Sequence, residues 1–201
     1  MSVLSSIGVF VVVLGFYVSV LMDDVPGGDA GELLAESCLL GVPHPPGYPL
    51  LTALSGLILR ATNTLHTTKA NGTDFAPIPA VVGNTLSASF TAAAAAVLYS
   101  TSRALILNDF ALSTKLHRHQ LQLGFLPGAI SFLATAFFAF SPLVMMYAVS
   151  AEVFALNNFL CSLLIWAFVK VFTTKNSKGR LQYAFVGAFT SGKCWVFIFC
   201  F

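Results

Sequence analysis

The chain has 201 residues, of which 57% are hydrophobic and only 9% charged, with a mean hydropathy of +0.84. A soluble domain carries roughly a quarter of its residues as Asp, Glu, Lys or Arg, so this composition excludes an ordinary soluble fold and points to several membrane helices of about 20 apolar residues each. The net charge of +2 and the lack of a dense basic run exclude a nucleic-acid partner; the four cysteines lie far apart, which fits neither a disulfide framework nor a CxxC metal site.

Taken in order, the first apolar run covers Ser2 to Met22. It has no basic leader and no small-residue cleavage site, so it reads as an uncleaved span. Asp23 to Leu50 follows, holding five of the eight carboxylates, Asp23, Asp24, Asp29, Glu32 and Glu36, with no Lys or Arg. Within it Asp29 is a candidate N-cap for a helix over 30–40, with Glu32 at N3 and Gly41 as its stop. Leu33, Leu34 and Leu40 against Glu32 and Glu36 give that helix an amphipathic, interfacial character. Pro43, Pro45 and Pro46 hold the next turn extended. A second helix over 48–66 has too short an apolar stretch before Arg60 to span, and reads as interfacial or re-entrant.

The polar stretch from Thr62 to Pro79 contains Asn71-Gly72-Thr73, an N-glycosylation sequon at Asn71. Four more spans are expected: Ala80 to Leu107, with a small-residue run suited to close packing; Leu123 to Tyr147, broken by Pro127 and Pro142; Val153 to Phe172; and Tyr183 to Phe201. Residues 1–201 thus form a single all-α polytopic membrane domain. With this arrangement the two loops 103–122 and 170–180 share one side and hold seven of the ten basic residues, while the acidic loop, the sequon and Glu152 share the other. The positive-inside rule puts the N-terminus and basic loops in the cytosol and the acidic loop in the lumen.

A solvated loop behind a span explains the acidic residues alone. An active-site loop at the membrane surface also explains the glycine-flanked Asp29 and the rigid HPPGYP segment. Carboxylates beside membrane helices are functional candidates by default, although Glu152 also suits the dipole at the start of its helix, and His44 also suits a structural loop role. No Ser-His-Asp order, HExxH, phosphate-binding loop or dinucleotide fingerprint is present. A carboxylate in this place can serve as general base on an acceptor hydroxyl while a lipid-linked sugar keeps its tail in the bilayer. Arg60 or His44 can then stabilise the departing lipid phosphate.

GGDAGELLAESCLLGVPHPPGYPL, AVSAEVFALNN and GNTLSASFTAAAA resemble the motifs of the transmembrane protein 260 family, over roughly residues 5–190. The resemblance implies a GT-C-type membrane glycosyltransferase fold with two juxtamembrane helices in the first lumenal loop. It implies protein O-mannosylation at the endoplasmic reticulum membrane, with dolichyl-phosphate mannose as donor and the IPT domains of cell-surface receptors as acceptors. Asp29 becomes the catalytic base, and Glu32, His44, Tyr48 and Glu152 become site residues beside Arg60. No cofactor or metal ligand set is required. The closing KCWVFIFCF departs from the family pattern and reads as a truncation, so an inactive or regulatory form is the alternative. A transporter is a further alternative, against which the span-end position of the acids and the lack of an internal repeat both speak.

Overall fold

The computed structural model describes residues 2–25, 27–45, 47–67, 79–113 and 125–198. These residues form α1 (Ser2–Ser19), α2 (Ala30–Leu39), α3 (Pro49–Thr67), α4 (Pro79–Ser113), α5 (Phe125–Ala139), α6 (Pro142–Ala148), α7 (Val153–Thr173) and α8 (Ser177–Ile198), with no strand among them. The protein is an all-α membrane helical bundle. Pro79–Asn108 and Val153–Thr173 are each long and apolar enough to cross a bilayer, and the pair α5 and α6, bent by 69°, provides a third crossing if it acts as one broken span. Val11, Val12, Phe132, Phe137, Phe168 and Phe185 are large apolar side chains left exposed, as lipid-facing positions should be.

Helix α4 is the central post, packing against α1, α5 and α7. Its buried Ala88, Ala92 and Ala95 form a smooth stripe that meets Val9, Val13 and Tyr17 of α1. Small side chains let two backbones approach, and dispersion contacts rather than water release then hold them. Several polar groups inside this packing have partners: the Tyr17 hydroxyl donates to the Ala139 carbonyl at 2.7 Å. Thr91, Ser131 and Thr135 donate to backbone carbonyls one turn back on their own helices, which satisfies hydroxyls that would otherwise face hydrocarbon.

Several local expectations need correction. Helix α2 ends on Leu40 in the left-handed region (φ 52°) and not on Gly41; the N–H groups of Leu40 and Gly41 donate to the Ser37 and Glu36 carbonyls, a closed C-terminal motif. Its Leu33 and Leu34 are buried against protein, so only Leu40 of the three expected interfacial leucines is exposed. Pro127 breaks nothing, because it falls in the first turn of α5, where a missing N–H is tolerated. The bend falls at Phe140–Ser141, ahead of Pro142 at the start of α6. Lys178 and Arg180 lie in the first turn of α8 and not in a loop, and the short connector 174–176 makes α7 and α8 neighbours. Asn71, Lys115 and Arg118 lie outside the described residues.

Replacing Tyr17 with Phe removes a buried hydrogen bond and leaves the Ala139 carbonyl without that donor. The expected loss is about 1 kcal/mol, read as a lower midpoint for thermal unfolding of the Tyr17→Phe chain in detergent micelles.

Candidate functional site

Three segments distant in sequence meet at one end of the bundle. The first is the exit from α1, where the Asn84 side-chain amide of α4 donates to the backbone carbonyls of Met22 (2.8 Å) and Asp24 (3.3 Å). Asn84 is fully buried, and its Oδ1 finds no partner among the described residues. The second is the α2–α3 hairpin, held by a close approach: a Cβ on Gly56 would sit 2.5 Å from the Ser37 carbonyl oxygen. The third is the tight link from α6 into α7, residues 149–152, which is buried throughout. Leu33, Tyr48, Leu51, Val153, Leu156 and Leu160 form the apolar floor under this junction.

Above that floor stand Asp29, Glu32, His44 and Glu152. Asp29 occupies the N-cap position of α2, but with helical backbone angles (φ −82°, ψ −7°) and no side-chain capping bond. Its carboxylate is therefore not used up by the helix, and its side chain is 60% exposed. Glu32, on the first turn of α2, accepts from the His44 backbone N–H at 2.6 Å and from the His44 Nδ1 at 2.9 Å. His44 Nε2 lies 3.6 Å from Asp29 Oδ2, so the imidazole bridges the two carboxylates. Its position is rigid. The Gly47 N–H closes a turn onto the His44 carbonyl (2.8 Å), and the buried Tyr48 packs edge-on against the imidazole with ring centroids 5.8 Å apart.

Glu152 is 9% exposed. It immediately precedes α7 in extended conformation, without a side-chain bond to the N–H groups deeper in the first turn. Its carboxylate faces the loop instead: a Cβ on Gly28, which has φ +80°, would lie 3.3 Å from Glu152 Oε1. A glycine thus suits this position both for its left-handed backbone and for its lack of bulk. Burial, then the negative charge of Asp29, push the Glu152 carboxyl above the ordinary carboxylate value, while the backbone N–H groups of Asp29 and Val153 partly offset this. The Glu32 carboxyl is held below its ordinary value, first by the His44 backbone N–H and then by the imidazole. His44 is held above its ordinary value chiefly by its hydrogen bond to Glu32. Two carboxylates of opposite tendency flank the exposed Asp29.

Residues 29–195 match the family described as the Protein O-mannosyl-transferase TMEM260 N-terminal domain. The chain belongs to this family. It is 36% identical over 187 residues to the Protein O-mannosyl-transferase TMEM260 of Mus musculus, covering 93% of this chain and 22% of that protein. It is 32% identical over 142 residues to the Protein O-mannosyl-transferase tmem260 of Dictyostelium discoideum, covering 71% of this chain and 14% of that protein. The chain thus spans about a fifth of the length of the mouse relative and less of the slime-mould one. No solved structure matches.

Within this TMEM260 N-terminal domain the structure brings together Asp29, Glu32, His44 and Glu152, and sets Tyr48 beneath them as a packing residue rather than an exposed one. Arg60 is placed elsewhere. Its guanidinium donates to the Cys38 carbonyl at 3.3 Å, near the end of α2 farther from Asp29, about 13 Å along the helix axis. Among the described residues no three His, Cys, Asp or Glu side chains converge as metal ligands. Asn84 was not singled out from the sequence; the available signal was an amide within an apolar helix that has no loop of its own to serve.

The proton-linked stabilisation by His44 is complete below its ordinary value of 6.5 and fades as pH rises through its raised value. That by Glu32 is complete above its ordinary 4.5 and fades as pH falls through its lowered value. The clamp is therefore closed between those two limits. Titration of the His44 imidazole by NMR should give a value above 6.5 in the native chain, falling back toward it in Glu32→Gln.

Proposed function

We propose that this chain carries the site of a GT-C-type protein O-mannosyltransferase with Asp29 as its acceptor-activating base, in the endoplasmic reticulum membrane with its N-terminus cytosolic and the Asp29 loop lumenal. The observation that carries the reading is the exposed Asp29 carboxylate at a membrane-helix junction, bridged by His44 to Glu32 and backed by the buried Glu152. Membership of the TMEM260 family supports the sugar and the reaction type.

In the proposed reaction Asp29 takes the proton from a Ser or Thr hydroxyl of a lumenal IPT domain as the oxygen attacks the anomeric carbon of dolichyl-phosphate mannose. The new carbon–oxygen bond forms on the face opposite the departing phosphate. The bond from the anomeric carbon to the phosphate oxygen breaks with its electron pair going to that oxygen. The products are an inverted mannosyl-protein, a protonated Asp29 and dolichyl phosphate. His44, cationic over a widened pH range, stabilises the charge on the leaving phosphate. Arg60 has its bond to the α2 terminus and serves the hairpin in this reading. Glu152 acts through the loop, by holding the Asp29 backbone.

The test is expression of the native chain and of Asp29→Asn in cells that lack the parent O-mannosylation activity. The native chain is expected to restore mannosylated receptor IPT domains, read by mass spectrometry of glycopeptides, and Asp29→Asn to lower the restored level by at least about a hundredfold, the range for loss of a general base. Equal restoration by both chains overturns the assignment of Asp29.

A further inference from the structure

At the opposite end of the bundle lies a groove of about 460 Å³, between the start of α1, the later part of α4, the end of α7 and the start of α8. From Ala80 beside the acidic site to Arg103 in the groove, α4 rises about 35 Å at roughly 1.5 Å per residue. That distance matches the hydrocarbon thickness of a bilayer, about 30 Å, so the groove opens at the other membrane face. Its walls are chemically divided. Val3 and Leu107 are apolar and exposed, whereas Arg103 and Lys170 are half-buried cations. No carboxylate among the described residues lies within ion-pair distance of either cation. The Ser6 and Ser100 hydroxyls, hydrogen-bonded to one another at 2.7 Å, and the edge-to-face pair Trp166 and Tyr183 complete the lining.

We propose that this groove holds one anionic glycerophospholipid of the facing leaflet, its phosphate between Arg103 and Lys170 and an acyl chain along the apolar wall. Charge complementarity fixes the head group. Two cations with no counter-ion among the described residues, drawn part-way out of water, favour an anion, and a zwitterionic head group without net charge offers them less than one that is negative overall. Indole and phenol rings belong at the level where head groups meet hydrocarbon, and the exposed Lys175, Lys178 and Arg180 beside the groove raise the local concentration of anionic lipid. The site does not depend on the sugar-transfer reading, since it shares no residue with it.

The experiment uses the full chain with Trp195→Phe, which leaves Trp166 as its sole indole. The chain is reconstituted in phosphatidylcholine vesicles containing a minority of phosphatidylserine. Bromine on the acyl chains of one lipid or the other, at matched mole fraction, quenches Trp166 on contact. Phosphatidylserine is expected to exchange onto Trp166 with a preference of roughly thirtyfold over phosphatidylcholine, as two near-surface cations imply. Arg103→Gln with Lys170→Gln is expected to remove that preference, and Arg103→Lys to keep it, which separates lost charge from lost folding. Equal quenching by both lipids, or a preference that survives the double substitution, overturns the proposal. So does a saturable response of Trp166 to inorganic phosphate in vesicles of phosphatidylcholine alone, because the groove then takes a free anion.

Discussion

Glu152 joins the start of α7 to the acidic loop. A carboxylate this deeply buried, beside a membrane helix and within the field of Asp29, is destabilised in its charged form. Backbone N–H groups partly offset that cost, and one of them belongs to Asp29, more than a hundred residues earlier in the chain. Its contact with Gly28 fixes the loop's approach so closely that a side chain there would crowd the carboxylate. The same group that needs the loop for its own solvation thereby positions the loop. Asp29 is left with its side chain facing water and its backbone occupied.

The rest of the bundle makes that meeting possible. The alanine stripe of α4 brings α1 against it, and Asn84 catches the chain as it leaves α1. Gly56 and the closed C-terminus of α2 fold the hairpin so tightly that Leu33 and Tyr48 reach the start of α7. These contacts form in a medium that offers no water to unpaired groups, which explains why so many Ser and Thr hydroxyls bond back to their own helices.

Much of this was legible in the sequence. Long apolar runs gave the helix class, and the concentration of carboxylates in 23–50 marked the loop; the stretch expected to be extended at His44 instead closes a turn, the Gly47 N–H donating to the His44 carbonyl. The pairing of that loop with Glu152 followed from topology, since both fall on the same side of the membrane. The ends of elements were less legible because tertiary packing decided them. Leu40 adopts a left-handed conformation that favours Gly41 on intrinsic grounds, and Pro127 fits a helix because it lies in the first turn. Arg60 is near His44 in sequence only through an extended turn; once α2 and α3 fold back on each other, its side chain reaches Cys38 instead. The partner of Asn84 could not be read, because it lies sixty residues away and periodicity does not reveal it.

The link from Glu152 to the Asp29 loop runs through the Asp29 backbone N–H. The most direct measurement is residue-resolved amide hydrogen exchange on the full chain in micelles, comparing native protein with Glu152→Ala. The Asp29 amide is expected to be protected in the native chain and to exchange markedly faster in Glu152→Ala, while the amides of the α4 alanine stripe are unchanged. Equal protection of the Asp29 amide in both chains would contradict it, and the loop would then owe its position to α2, α3 and Asn84 alone.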